Sequence, residues 1–443
     1  MERNILEEIE ADFDVHMLQL KEGVHIWPLL REKVYFDHLK RTFNYSAKKR
    51  TRDIAKLSKN FFYGLHRLFG LGKYEYLFFE NTNKRIWFND KFYDIYFDAW
   101  ADRLGRSKGL FVEFASENHY PTAQVHSENI VSDLPFKMAS SIVSFFVFPK
   151  IQNEDVLMKI VREKNVRIDL RKETKRQLGE YYFYKFLFKL IKPKAVFVLS
   201  SFSKVPIVMA AKKNNIKVCE AQHGFIGESH PFYHVKNKRF ENSYPDILFS
   251  FGEYELKHND NFIFKRHQII PIGGLQLEQE KSKKTPKELK EIRDKYRLVF
   301  CITLQAIKED EIIGCTSAFA KSHPDALFFL CPKNHDMDYS RFLGNPSYRL
   351  SEHSIYDVLK ISDYNLTIFS TTAVEGETMG AKTIFYNADN LSRKYFNVTG
   401  LGASVIEEGE SLSEKHLSAS KKDVQPYYIN GYFGNVEKCE IDI

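Results

Sequence analysis

Cysteine is scarce and scattered. The five thiols, Cys219, Cys301, Cys315, Cys331 and Cys439, are odd in number and form no CxxC pair, which excludes a disulfide framework and the common cysteine-based zinc motifs. Cys301 and Cys331 sit in apolar runs, where a thiol acts as a small hydrophobe. With 21 glycines and 14 prolines in 443 residues, the chain is neither collagen-like nor low-complexity. No stretch approaches 18 uncharged apolar residues, so no segment is expected to span a bilayer. The opening MERNILEEIEADFD is acidic and lacks an apolar core with a small-residue cleavage site, so no signal peptide is expected there. A reducing cytoplasm is the expected compartment. Also missing are a Gly-rich phosphate loop of the P-loop or dinucleotide type, a GxSxG and an HExxH; Gly273-Gly274 is too short to count.

What is present is 43% apolar and 15% aromatic, enough to bury full cores in about two or three domains at roughly 150 residues each. The net charge of +7 is unevenly placed. Between Lys40 and Lys73 stand ten basic residues, with Asp53 as the only acid. Ile54, Leu57, Phe61, Phe62, Leu65, Leu68 and Phe69 recur among them at helical spacing. Such a basic amphipathic helix lies on an anionic membrane surface, or packs its stripe on its own domain with its lysines solvated. No nucleic-acid motif accompanies the charge, so nucleic acid is not an expected partner.

Residues 1–73 are expected to be a helical, basic, amphipathic extension, with Pro28 near a first helical turn. Apolar runs at 76–80, 109–114, 195–199, 217–221 and 246–251 predict strands, and SIVSFFVF (141–148) is strand-like too. Helices are predicted over 92–104, from Leu157 to Lys192 and over 206–214. The polar stretch 277–297 is the expected linker. Beyond it, strands at 298–304, 326–331, 364–369 and 382–386 alternate with helices at 310–321, 354–361 and 372–379. Near-continuous apolar strands alternating with helices indicate parallel sheets covered on both faces. The expected organisation is therefore a domain over 74–276, the linker, and a second α/β domain over 298–443 whose end packs back on the first. Two such domains leave a cleft, with ligands beyond the carboxyl ends of the strands.

Four segments at strand ends can carry chemistry. In Ile368-Phe-Ser-Thr-Thr-Ala-Val-Glu375 a strand ends, three hydroxyls follow and a helix opens; Ser370, Thr371 or Thr372 caps it, beside the unpaired N–H groups of an anion site. Glu375, one turn on, is placed to accept from hydroxyls such as a ribose diol, or serves only the helix dipole. After the strand at 217–221, Gln222, His223 and Gly224 stand at its carboxyl end, with Glu228, His230 and His234 close behind. A histidine there acts as general base or holds a phosphate; the spacing fits no common zinc pattern. Lys333 and His335 follow the strand 326–331 and can neutralise a phosphate or diphosphate, and Gln305 occupies the corresponding loop one strand over. Glu113 and Glu117 flank the end of 110–114, where a carboxylate acts as base or nucleophile, or is a solvated loop acid; Glu220 and Glu228 are further candidates.

The run SDYNLTIFSTTAVEGETMGAKTIFYNADN (362–390) resembles the nucleotide-binding stretch of GT-B glycosyltransferases that build bacterial capsule, O-antigen and teichoic acid. It is similar to the corresponding region of CDP-glycerol glycerophosphotransferases, CMP-sialic acid and polysialic acid transferases, and CMP-Kdo transferases. The resemblance, over roughly 195–390, implies a GT-B-like α/β fold of two Rossmann-like domains facing across a cleft. It implies that Ser370, Thr371 and Thr372 contact a donor phosphate, and that Lys333 and His335 contact the nucleotide, although His335-Asp336 stands where those families have His-Pro. No metal or cofactor is implied: the nucleotide-activated sugar, a CMP-sugar first, is itself a substrate. The expected activity is glycosyl transfer to a surface polysaccharide or lipid-linked acceptor, with His223, Glu113 or Glu228 catalytic, Gln222, Gly224 and His230 near acceptor or phosphate, and peripheral contact with the inner membrane face through residues 40–73. The alternatives are polyol-phosphate transfer, a nucleotide-sugar epimerase, a hydrolase, or a non-catalytic glycan-binding module.

Overall fold

The structure, a computed structural model, describes residues 4–42, 54–235, 240–333, 338–396, 398, 401–418 and 427–441. The strands in chain order are β1 (Tyr76–Asn81), β2 (Arg85–Phe88), β3 (Lys91–Asp94), β4 (Gly109–Phe114), β5 (Ile130–Ser132), β6 (Ala195–Leu199), β7 (Lys217–Ala221), β8 (Ile247–Ser250), β9 (Ile269–Pro271), β10 (Leu298–Leu304), β11 (Ala326–Pro332), β12 (Tyr348–Leu350), β13 (Tyr364–Thr367), β14 (Lys382–Asn387) and β15 (Ser404–Glu407). Among the described residues they form a seven-stranded sheet in the order β5-β4-β1-β6-β7-β8-β9 and a six-stranded sheet in the order β12-β11-β10-β13-β14-β15, both parallel. β2 and β3 make a separate antiparallel hairpin.

The long central strands are apolar because both faces are covered: every residue of Ala195–Leu199 is buried, as are Val299–Leu304. Chain order reverses between β1 and β6 in the first sheet and between β10 and β13 in the second. Loops on the two sides of such a reversal diverge and leave a crevice at the carboxyl edge. This is the GT-B-like pairing of two Rossmann-like sheets. One apolar cluster joins the halves, running from Phe78, Phe197 and Phe249 to Val374, Phe385 and Phe396, and the ring of Phe225 stacks on Phe396 at 4.1 Å between centroids.

The N-terminal helices Ile5–Asp12 and Trp27–Thr42 bury Leu6, Ile9, Trp27 and Leu30 in the same core as Leu77 and Val196. Glu10 and Arg31 are paired inside it at 2.6 Å, with Trp27 Nε1 donating to Glu10 at 2.9 Å. Of the basic stretch 40–73, residues 43–53 lie outside the described residues; helix Ile54–Phe62 follows, with Leu57 and Phe62 exposed. The expected linker carries helices Leu275–Ser282 and Lys287–Arg293. The helix Tyr432–Lys438 lies on the first domain, where Tyr432 donates to the Tyr96 carbonyl at 3.0 Å and Arg103 to that of Val436 at 2.9 Å. No helix among the described residues is long and apolar enough to cross a membrane.

Three local expectations are corrected. The run 141–148 is the end of helix Leu134–Phe145 and the turn after it, not a strand. Pro135 starts this helix, and its apolar residues lie on both its buried and its exposed sides, which hides the helical period. Residues 92–104 open in the strand β3; Asn89 and Asp90, both at positive φ, turn a two-residue hairpin before the helix Asp98–Leu104 begins. The helix expected from Leu157 to Lys192 is two, Glu154–Glu163 and Leu170–Ile191, separated at Asn165 with φ +51°.

Candidate functional site

A cavity of about 200 Å³ opens where the carboxyl edges of the two sheets meet. From the first domain it takes Lys84 after β1, Gln222 and His223 after β7, and Gly273–Leu277 after β9. From the second it takes Tyr356, Thr371 and Glu375, and from the C-terminal stretch Tyr428 and Tyr432. Two of the surrounding loops hold non-glycine residues in the left-handed region, Ser200 after β6 (φ +51°) and Ala306 after β10 (φ +60°), a cost that packing around functional loops sustains.

The hydroxyl triplet divides its work. Thr372 is buried: its Oγ1 donates to Thr303 at 3.1 Å, Asn365 donates to its carbonyl at 2.8 Å, and Thr303 donates to Asn365 at 2.9 Å. This network pins helix Thr372–Met379 to β10 and β13. Gly376 allows the close contact, since a Cβ there would stand 3.3 Å from the Asn365 side chain. Ser370 Oγ accepts from the Thr372 N–H at 3.3 Å. Only Thr371 lines the cavity. Gln305 accepts from the Phe369 N–H at 3.1 Å and so holds the turn before the triplet.

Across the cavity, Gln222 is also a positioning residue. It is buried, accepts from the Phe251 N–H at 2.8 Å, and donates to Glu255 at 2.7 Å and to the Gly224 carbonyl at 2.9 Å. The turn it shapes presents His223, whose ring lies 3.1 Å (Nε2) from Ser200 Oγ. Burial, then the charges of Lys84 and Lys204, lower the His223 pKa to about 4, so the imidazole is neutral near pH 7. Burial lowers that of His230 to about 3. His230 sits behind His223, its ring 4.7 Å from that of Tyr233, and accepts from the Phe232 N–H at 3.4 Å. Glu228 is exposed and does not line the cavity, and His234 is buried.

Lys84 is the one cation lining the cavity among the described residues. Burial pushes its ammonium below the ordinary lysine range. Lys333 pushes the same way across the cleft, against the attraction of Asp94 and Glu375. Lys333 is exposed just after β11 and does not line the cavity, but its charge is felt at Lys84. Glu375 is held protonated up to about pH 7, chiefly by burial and against the pull of Tyr356, Lys84 and Tyr428. His335 lies outside the described residues.

The first domain's carboxylates do other work. Glu113 is fully buried, accepts from Arg85 Nε at 2.6 Å and pairs with His119 Nδ1 at 2.6 Å. Burial opposes its charge, yet Arg85 and His119 keep it below the usual carboxylate range. Arg85 also pairs with Glu80 and Asp98, so Glu113 belongs to a buried charge cluster and lines no part of the cavity. Glu220 is buried and accepts from Tyr233 at 2.6 Å and the Ser201 N–H at 2.9 Å; Glu117 is an exposed loop residue. The sequence reading did not single out Lys84, Tyr356 or Tyr428. Lys84 had a signal, its place in the short polar turn that follows an apolar strand; Tyr428 had none, because it reaches the cavity from the far end of the chain.

No protein-family model matches the chain, and no curated protein matches its sequence. Among solved structures it is similar to the S. aureus MnaA–UDP structure, with a TM-score of 0.46 and 11% identity over 81% of this chain and 93% of that one. It is similar to CalG4, the calicheamicin glycosyltransferase, with a TM-score of 0.45 and 12% identity over 82% and 92%. It is also similar to the UDP-GlcNAc 2-epimerase of Methanocaldococcus jannaschii, with a TM-score of 0.43 and 12% identity over 81% and 97%. The likeness is one of fold.

Proposed function

We propose that this protein is a glycosyltransferase that moves a sugar from a nucleotide-activated donor, a CMP-sugar first, to a surface polysaccharide or lipid-linked acceptor. The observation that carries the reading is the meeting of Lys84, Thr371 and a neutral His223 in one interdomain cavity. The second domain, from residue 298, holds the donor, and the first presents the acceptor. The acceptor oxygen bonds to the anomeric carbon as the bond from that carbon to the phosphate oxygen breaks. His223, neutral and oriented by Ser200, takes the hydroxyl proton. The leaving phosphate carries the new negative charge, which Lys84 and the helix start at Thr371 stabilise, with Lys333 adding positive charge from the second domain. Glu375 accepts from the ribose hydroxyls once ionised.

A thermal-shift panel of CMP, CDP, UDP and GDP tests the donor side: a bound nucleotide raises the melting temperature in proportion to its occupancy. The expected result is a rise with one of them that Thr371→Ala diminishes. No rise with any nucleotide overturns the reading. Isomerised sugar formed from donor without acceptor overturns it in favour of an epimerase.

A further inference from the structure

One face of the first domain is used by neither sheet nor cleft. Helices Leu134–Phe145 and Leu170–Ile191 pack side by side, so closely that a Cβ on Gly179 would stand 2.5 Å from Cβ of Ser144. Helix Ile54–Phe62 packs against the first of them. The outward sides of all three carry large apolar side chains among lysines. Phe145, Phe146, Phe148 and Phe186 leave 70%, 77%, 79% and 69% of their surface in water, and Leu57, Phe62, Met138, Ile142 and Leu190 are exposed with them. Met138, Ile142 and Phe145 follow the helical repeat, as do Phe186 and Leu190, so each set forms a stripe along one side of its helix. Exposed rings gathered on adjoining helices mark an interaction surface rather than scattered surface hydrophobes.

The charge on this face is mostly positive, although Asp133 pairs with Lys137 and Glu22 lies beside Phe146 and Phe148. Residues 54–62, 134–150 and 181–192 together hold seven lysines, at 56, 59, 137, 150, 185, 189 and 192, and no aspartate or glutamate. One of them, Lys137, has its Nζ 4.4 Å from the Phe114 centroid, and Lys175, earlier on the same long helix as Lys185, has its Nζ 4.9 Å from that of Phe148. We propose that this face docks on an anionic lipid bilayer, with the phenylalanine rings entering the boundary between headgroups and acyl chains and the lysines at the level of the lipid phosphates. A second copy of the chain is a poorer occupant, because a two-fold contact would bring two surfaces of mostly positive charge together. The helices lie on the membrane and do not cross it, since none of the described ones is long and apolar enough. The surface extends well beyond the 40–73 segment and is independent of what the cleft binds.

Co-sedimentation of the full chain with vesicles of equimolar phosphatidylglycerol and phosphatidylcholine, against vesicles of phosphatidylcholine alone, tests this. The expected result is pelleting with the anionic vesicles that weakens as salt is added. Phe145→Ser with Phe146→Ser should cut the bound fraction by about tenfold. Lys185→Glu with Lys189→Glu should cut binding to the anionic vesicles alone, and both variants should melt where the wild-type protein melts. The proposal is overturned if the wild-type chain stays in the supernatant with anionic vesicles. It is equally overturned if the folded Phe145/Phe146 variant pellets like wild type, or if sedimentation velocity shows a dimer that these substitutions dissociate. None of these readouts depends on nucleotide binding, so this proposal and the cleft reading fail separately.

Discussion

A Cβ placed on Gly224 would stand 4.0 Å from Thr371 Oγ1, so the loop after β7 and the helix after β13 face each other across a narrow gap. Alanine at 224 makes ordinary van der Waals contact there, whereas a branched side chain fills the gap. Gly224→Ala should keep nucleotide affinity within a few-fold, and Gly224→Leu should weaken it by about tenfold or more. Calorimetric titration of both variants with the nucleotide that stabilises the wild-type protein checks this, with melting curves to show that both are folded.

His223 should set the acid limb of activity far below the usual histidine range. Burial and the neighbouring lysines lower its pKa to about 4, so its basic form persists as pH falls from neutrality and is lost only near that value. In a Glu375→Gln background, which removes the carboxyl that titrates at about 7, the profile of kcat/KM should show no histidine-like step near the ordinary value of 6.5. His223→Ala should lower kcat by about 10²- to 10⁴-fold, and Ser200→Ala, which removes the partner at 3.1 Å, by less.

Lys84 is the natural test of anion stabilisation. Lys84→Met keeps most of the packing and removes the charge, and should weaken the phosphate-bearing nucleotide by about tenfold while barely changing the affinity for the free nucleoside. Direct titration of nucleoside and nucleotide separates the two. Equal loss for both would mean that Lys84 serves packing alone.

Glu375 should make stability fall as pH rises. Its folded-state pKa is raised from 4.5 to about 7, mainly by burial, so between those values the folded protein holds a proton that the unfolded chain has released. The stabilising contribution is complete below pH 4.5 and is lost as pH passes about 7. Glu375→Gln, always neutral, should melt above the wild-type protein at about pH 8, and the difference should vanish toward the acid end. Melting curves across that range decide the sign.

Glu113 should prove structural. Arg85→Met would leave Glu80, Asp98 and Glu113 buried without their shared cation, and should cost about 3–5 kcal/mol in a denaturant titration. Glu113→Gln should lower stability while leaving kcat per folded molecule unchanged. A loss of kcat without a loss of stability would return Glu113 to the reaction.

Much of this molecule is written locally. Ala195–Leu199 is an unbroken apolar run, and Val299–Leu304 is one but for Thr303, because a parallel strand is buried on both faces, and such runs alternating with helices are enough to imply two parallel sheets. Residues just after β7 and β13 stand at strand ends, which is why the places of His223, Gly224 and Thr371 were legible in the chain. Side-chain duty was not. Ser370, Thr371 and Thr372 offer the same hydroxyl chemistry, and only packing against Thr303 and Asn365 decides that Thr372 turns inward and Thr371 outward. Glu113 looks like a strand-end acid until Arg85, from a hairpin turned by Asn89-Asp90, closes on it. The run 141–148 passes for a strand because its exposed side is as apolar as its buried one. Tyr428 reaches the cavity from hundreds of residues away in sequence, and Lys84 meets Glu375 only when the domains face each other. Periodicity and turn chemistry act over a few neighbouring residues and survive in the sequence. Burial, pairing and pKa depend on what long-range packing brings alongside, and those were settled by the tertiary structure.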